Sequence, residues 1–447
     1  MNLEKLFDEF IDEIKSEGTY ASNEELREAT KDILDIIHNN KDASLEELVE
    51  LVIKDNINLL EDIRRKYSIP GYTVGVNVGR FNIKMTGGNI DGSGRKLPDD
   101  ALFDIASITK FFSQIILYNL IKEGYLSFDD KIIDLVHDFV NVGDITVGDI
   151  SEFTVKFQTD GRLDEKNTYD EAYDTLHKVN VVEKGTYNYN DIGMMILKEV
   201  MERVSGKSYE ELIDLYIVKK YGLTDTHIIV PDNKISRVTG SPNASIGKVN
   251  DPSAIALGGF SGHAGIFSSS DDLIKLGQAV NNGIIPPDML PRTYTVGSKD
   301  NRGLMGNTYI PHEEGISRTY IDRLDSMNTF AVQGSTRTQL NIGKNSINSI
   351  LLNPGSMSLE SALEIEEKIN KQLISQGKSP VILIKDLFIN NEEFKSYNII
   401  RMVPSIPTEG PITTSNTILI LKLRFLEKVI KALDSTYDKE VKINKSI

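Results

Sequence analysis

Apolar positions set the first elements of this chain. Leu3, Leu6, Phe7, Phe10, Ile11 and Ile14 recur three and four apart, which predicts an amphipathic helix over Leu3–Ile14. Asn23–His38 reads as a second helix, and Ser44-Leu45-Glu46-Glu47 opens a third in the order of a capping box. After Pro70-Gly71 the period changes to two. Tyr72–Val78 alternates as a strand, with Phe81–Met85 as its hairpin partner. Phe111, Ile115, Ile116, Leu117, Leu120 and Ile121 form the next helical pattern, which stops at Gly124.

Residues 125–235 read as mainly helical, with a clear helix over Ile192–Val204 ended by Ser205-Gly206. A Gly- and Ser-rich stretch, 251–270, precedes a helix over Asp271–Val280. Thr329–Ile342 and Ser346–Leu352 read as two strands joined around Gly343-Lys344-Asn345. Beyond Pro354-Gly355 the pattern predicts a helix over Leu359–Ile374, then strands at Val381–Ile384, Asn398–Val403 and Thr417–Leu423, and a last helix over Phe425–Leu433. Strands at both ends of a helical middle make the fold class α+β. The expected division is an N-terminal helical extension at 1–45, a main domain at 46–376 and a C-terminal α/β appendage at 377–447.

Composition narrows the function. A net charge of −16 argues against nucleic acid as partner, because an acidic surface repels phosphate. With no cysteine there is no disulfide, thiolate metal site or cysteine nucleophile, and the six histidines show no pair at ligand spacing, so a metal site is not expected. No stretch approaches the roughly twenty apolar residues of a membrane span. The first residues lack a basic segment followed by an apolar run, so a cytoplasmic location is the expectation. The first helices, up to about residue 66, carry no nucleophile or Gly-rich loop and are candidates for packing or partner binding, and both terminal extensions are candidate surfaces for a protein partner.

The candidate chemistry sits at Ser107 and Lys110. Three residues apart at a helix start, they place a hydroxyl beside an amine on one face, where the helix dipole favours a developing anion. Ser93/Lys96, Ser245/Lys248 and Ser375/Lys378 share that spacing but lie in turn-rich, Gly-containing segments. The hydrophobic flanks of Lys110 predict burial, which lowers an amine's pKa toward the neutral form that a base requires.

Leu102-Phe103-Asp104-Ile105-Ala106-Ser107-Ile108-Thr109-Lys110 resembles the nucleophile segment of the serine β-lactamase and penicillin-binding-protein superfamily, in its class C β-lactamase, esterase and D-amino-peptidase branch. The second motif of that family, Tyr-x-Asn, is matched by Tyr189-Asn190-Asp191, with Asp in place of Asn. The resemblance makes Tyr189 a partner in proton transfer and Asp191 a brace for Lys110 or a substrate contact; a carboxylate there would favour the ammonium and shift the duty of base to Tyr189. The stretch from Val249-Asn250-Asp251 through Ser268, containing Gly262-His263-Ala264-Gly265, is similar to a signature of esterase-like members, with His263 either touching substrate or structural.

The third motif, Lys-Thr-Gly or His-Thr-Gly, aligns with Val332-Gln333-Gly334, followed by Ser335. The resemblance implies an oxyanion hole from the Ser107 and Ser335 amides, with Gln333 and Gly334 along the substrate. Val332 replaces the family's cation, so recognition of a substrate carboxylate is not expected. Arg337 has the wrong strand parity to substitute. The resemblance covers about residues 50–376 and implies an antiparallel sheet flanked by helices, with a mainly helical subdomain. It implies a serine hydrolase or acyltransferase acting on small esters, amides or peptides through an acyl-enzyme on Ser107, a mechanism that requires no cofactor. The alternatives are a catalytically weakened member serving as a binding or scaffold protein, and a β-lactamase or D-Ala-D-Ala peptidase.

Overall fold

A computed structural model describes residues 2–66, 69–90, 94–186, 188–240, 246–283, 322–326, 329–353 and 409–447, with short pieces at 302–303, 306–307, 381–382 and 398–399 and isolated positions within 367–377. The predicted helix over Leu359–Ile374 lies almost wholly outside the described residues. Of the strands predicted at Val381–Ile384 and Asn398–Val403, Val381–Ile382 and Asn398–Ile399 are described, as a parallel pair.

Helices α1 (Leu3–Ser16), α2 (Asn23–Thr30), α3 (Asp32–Asn39) and α4 (Leu45–Lys66) open the chain. The single helix expected over Asn23–His38 is thus two, parted at Lys31. Ser22 caps α2 with a full capping box, accepting from the Glu25 amide while Glu25 accepts from the Ser22 amide. The hairpin of β1 (Gly71–Val78) and β2 (Phe81–Gly88) follows, paired from Gly71↔Gly88 to Val78↔Phe81.

The main sheet adds β5 (Phe330–Gly334), β6 (Thr338–Ile342), β7 (Ser346–Leu352) and β8 (Val441–Ser446), in the order β8-β2-β1-β7-β6-β5, continued by the pieces at 306–307 and 302–303. All its pairings are antiparallel except β8 on β2. The strand expected over Thr329–Ile342 is therefore a hairpin. Its turn closes with Arg337 N–H donating to the Gly334 carbonyl at 3.1 Å, and Arg337 takes φ +61° as the left-handed residue that ends a three-residue loop.

Both sheet faces are covered. On one, Tyr72, Val74, Val76 and Val78 of β1 share a core with Phe7 and Phe10 of α1 and Phe425 of α8 (Glu409–Leu433). The Phe425 ring meets Phe7 edge-on at 5.1 Å and Phe10 at 5.4 Å. The stretch Thr417–Leu423, expected as a strand, is an inner part of α8. A short continuous apolar run fits either element, and here Leu419, Leu423, Leu426 and Ile430, three and four apart, turn one helix face to the core.

On the other face, α7 (Ser270–Asn281) packs on β1, β6 and β7. Behind it α5 (Thr109–Lys122) is apolar nearly all round and buried from Thr109 to Leu117, as a central helix must be. It packs against α6 (Ile192–Ser205), which ends at Gly206 with φ +66°. A small strand pair, Val155–Gln158 with Asn180–Lys184, decorates the helical part and was not legible in its sequence.

Candidate active site

The nucleophile segment begins in β3 (Phe103–Asp104), which pairs with β4 (Phe267–Ser268). A tight helical turn over Ala106–Ile108 then feeds α5. Within that turn the first bonds come from Ile108 N–H to Ile105 at 3.0 Å and from Thr109 N–H, so the Ser107 amide lies ahead of the bonded part. Ala106 takes φ +44°, a conformation that costs a residue with a Cβ about 1–2 kcal/mol.

Lys110 Nζ lies 2.9 Å from Ser107 Oγ, 2.7 Å from Asp191 Oδ1 and 3.3 Å from the His263 carbonyl. The Tyr189 ring covers the amine at 4.8 Å, and Phe153 stacks on Tyr189 at 5.3 Å. Ser107, Lys110, Tyr189, Asp191 and His263 therefore converge. The Asp191 contact is an ion pair without aligned hydrogen-bond geometry: Oδ1 is shut off from solvent, while the side chain as a whole is 45 % exposed.

Burial alone would lower the Lys110 pKa, as its flanks suggested, but the charge of Asp191 and then the Tyr189 phenol outweigh it and hold the amine above the ordinary lysine range. Burial conversely pushes Asp191 up, and the charges of Lys110 and His263 hold it below the usual carboxylate range. The resting pair is ammonium and carboxylate.

His263 is buried, with Nε2 3.0 Å from Asp251 Oδ1 and Nδ1 2.9 Å from Ser261 Oγ. That arrangement favours the structural reading of His263: both ring nitrogens are engaged and its carbonyl meets Lys110. Burial raises the Asp251 pKa, but the neighbouring His263 overrides this and brings it to about 2. The potential ligand atoms of Asp191, Asp251 and His263 lie within 4.8 Å of one another, a spacing that could hold a metal ion, but the Lys110 ammonium already neutralises Asp191 there. A second such group, Asp138, His177 and Glu199, carries Arg203 against both carboxylates.

The β5–β6 hairpin lies over the nucleophile turn. A Cβ on Gly334 would collide with the Ile105 carbonyl and Thr338 Oγ1, so glycine is required for this approach. Thr336 Oγ1 donates to the Asp104 carbonyl at 2.5 Å and Thr338 Oγ1 to the Ile105 carbonyl at 3.3 Å. Ser335 opens the turn and is exposed; Gln333 is partly so. Val332 is buried in the core that α5 shares, and Arg337, also buried, lies in the turn instead of on the strand.

A beta-lactamase family model matches residues 56–313, more than half of the 447-residue chain. The chain belongs to the beta-lactamase family. Among relatives of this beta-lactamase-family protein, one from Salmonella agona (strain SL483) named "Putative D-alanyl-D-alanine carboxypeptidase" is 25% identical over 286 residues, covering 55% of this chain and 63% of the relative. One of the same name from Escherichia coli (strain K12) is 25% identical over 227 residues, covering 42% and 52%. The chain thus spans less than two thirds of these relatives' length.

Three solved structures share the fold. EstCE1, a hydrolase with promiscuous acyltransferase activity, superposes with a TM-score of 0.56 at 15% identity over 70% of this chain and 97% of its own. A beta-lactamase/D-alanine carboxypeptidase from Yersinia pestis gives 0.55 at 18% over 75% and 100%. A class C beta lactamase gives 0.54 at 20% over 72% and 99%.

Sequence reasoning missed Asp104, Asp251 and Phe153. The first two lie inside the quoted motif segments, yet only the folded chain joins them. Phe153 gave no sequence signal at all. It takes φ +55° and receives the Asn188 N–H on its carbonyl at 2.6 Å, fixing the wall against which Tyr189 stacks.

No helix among the described residues is long and apolar enough to cross a membrane. A cavity of about 530 Å³ lies away from this site, lined in part by Glu13, Lys344, Arg424 and Lys428.

Proposed function

We propose that the chain is a serine hydrolase or acyltransferase acting on small neutral esters or amides, with an acyl-enzyme on Ser107. Ser107 Oγ bonds to the substrate carbonyl carbon while its proton passes to the Lys110/Tyr189 pair; the leaving group departs with that proton, and water or another acceptor takes the acyl group. Lys110 accepts the proton as its neutral amine, a form that Asp191 makes scarce by favouring the ammonium, and the Tyr189 hydroxyl relays it to the leaving group. The Ser107 and Ser335 amides stabilise the oxyanion. Asp191 braces Lys110, and Gln333 and Gly334 flank the substrate. The observation that carries this reading is the 2.9 Å contact between Ser107 Oγ and a buried Lys110 amine.

Neutral substrates follow from position 332, where a buried valine leaves a substrate carboxylate without the family's cation. Solved structures of the same fold include a hydrolase with promiscuous acyltransferase activity and a beta-lactamase/D-alanine carboxypeptidase, and acyl transfer from a serine is in keeping with both. The same ion pair also favours a second reading, a binding protein of weakened catalysis, since Asp191 opposes deprotonation of Lys110.

Intact mass after exposure to a fluorophosphonate and, separately, to a penicillin divides these readings. A phosphonate adduct that disappears in Ser107→Ala, with no penicilloyl adduct, is the expected result. A folded protein labelled by neither would overturn the hydrolase and leave the binding reading. Penicillin labelling would point to cell-wall chemistry.

A further inference from the structure

Asp104 lies three residues before Ser107 and is buried, a costly place for a carboxylate. Its Oδ1 accepts from the Ala106 amide at 2.8 Å and its Oδ2 from the Asn250 amide at 2.7 Å. Ala106, at φ +44°, is the strained residue directly before the nucleophile. Asn250 precedes Asp251, which binds His263, whose carbonyl faces Lys110. Lys110 returns to Ser107 at 2.9 Å. The contacts close a ring that leaves Ser107 through its backbone and returns through its hydroxyl.

The ring is tied elsewhere too. Ile105 N–H donates to the Ile266 carbonyl at 3.0 Å, and Ile266 N–H to Thr109 Oγ1 at 3.3 Å. Burial pushes the Asp104 pKa up to about 6, against the pull of the Asn250 and Ala106 amides, with Asp251 adding to the rise and His263 opposing it. A carboxylate retained at such cost is one whose two acceptor oxygens are both in use. An asparagine could accept from only one amide, because its NH2 would face the other donor.

We propose that Asp104 is a positioning residue, a carboxylate clasp between the Ala106 and Asn250 amides that makes the Ser107 turn and the loop bearing the Lys110 acceptor one rigid unit. The clasp holds Ala106 in its left-handed conformation and aims Ser107 Oγ at Lys110. It rests on the reading of Ser107 as nucleophile, but the clasp itself can be observed without catalysis.

The test uses the full chain as wild type, Asp104→Asn and the double variant Asp104→Asn/Ala106→Gly. Fluorophosphonate labelling is followed over a range of probe concentrations, together with amide hydrogen exchange. Asp104→Asn should lower the maximal labelling rate by about 10- to 100-fold, the cost of misaiming a nucleophile, and leave the half-saturating probe concentration unchanged. Exchange should quicken in peptides containing Ala106 or Asn250 and not in α8. The double variant should recover much of the rate, since glycine adopts the positive φ without help. Wild-type labelling and exchange in Asp104→Asn would overturn the proposal, as would faster exchange throughout the sheet with no recovery in the double variant. If the wild type itself is not labelled, the hydrolase reading falls, and exchange alone decides the clasp: local quickening upholds it and unchanged exchange overturns it.

Discussion

The proton inventory around Ser107 turns on one carboxylate. Asp191 holds Lys110 as an ammonium, so a catalytic cycle that draws a proton from Ser107 works against this pair. Asp191→Asn removes the charge that favours the ammonium, and the neutral amine then forms at lower pH. The acid limb of kcat/KM should move down by about 1–3 pH units, read from a pH-rate profile on a neutral ester; an unmoved limb would show that Lys110 is not the titrating base. Asp251 gives a stability counterpart. Its pKa is depressed in the folded chain, so its contribution is present above the ordinary Asp value near 3.8 and is lost as pH falls through about 2. Urea unfolding between those values should show the loss in wild type and less of it in Asp251→Asn. At this scale the sequence was generous with Ser107, Lys110, Tyr189, Asp191 and His263, because family order carries them. It was silent about Asp104, whose meaning lies in an amide 146 positions away.

The hairpin of β5 and β6 is the element that brings the third motif to the nucleophile. Its alternating apolar residues were legible, but the turn at Ser335–Arg337 was not, because Ser-Thr-Arg lacks the glycine or asparagine that announces such a loop. Gly334→Ala tests the close approach. Its methyl has no room between the Ile105 carbonyl and Thr338 Oγ1, so overpacking should cost about 1–3 kcal/mol and slow Ser107 labelling, measured by denaturant unfolding and intact mass. An alanine variant of full stability and unaltered labelling would show that the hairpin does not press on the nucleophile turn. The misread Thr417–Leu423 teaches the complementary lesson: its seven residues suit a strand, and only the longer spacing through Ile430 reveals α8.

The whole molecule shares one sheet between two cores, and the residues set apart as terminal extensions contribute to the first of them. Phe425→Ala should therefore cost about 3–5 kcal/mol, seen as an earlier chemical unfolding transition, although the residue belongs to none of the family motifs. A loss below about 1 kcal/mol would mean that α8 packs loosely on α1. The α+β class could be read from the order of periods along the chain, but the place of β8 beside β2 could not, since six residues do not name a neighbour 360 positions back. That pairing has a consequence in time. The edge of β2 and the inner faces of α1 and α4 stay uncovered during synthesis until residues 409–446 have emerged, so the early segments wait for late ones. Folding governed by such distant contacts is slow and aggregation-exposed, and a ribosome stalled before residue 409 should display a β1–β2 hairpin open to any strand that reaches it first.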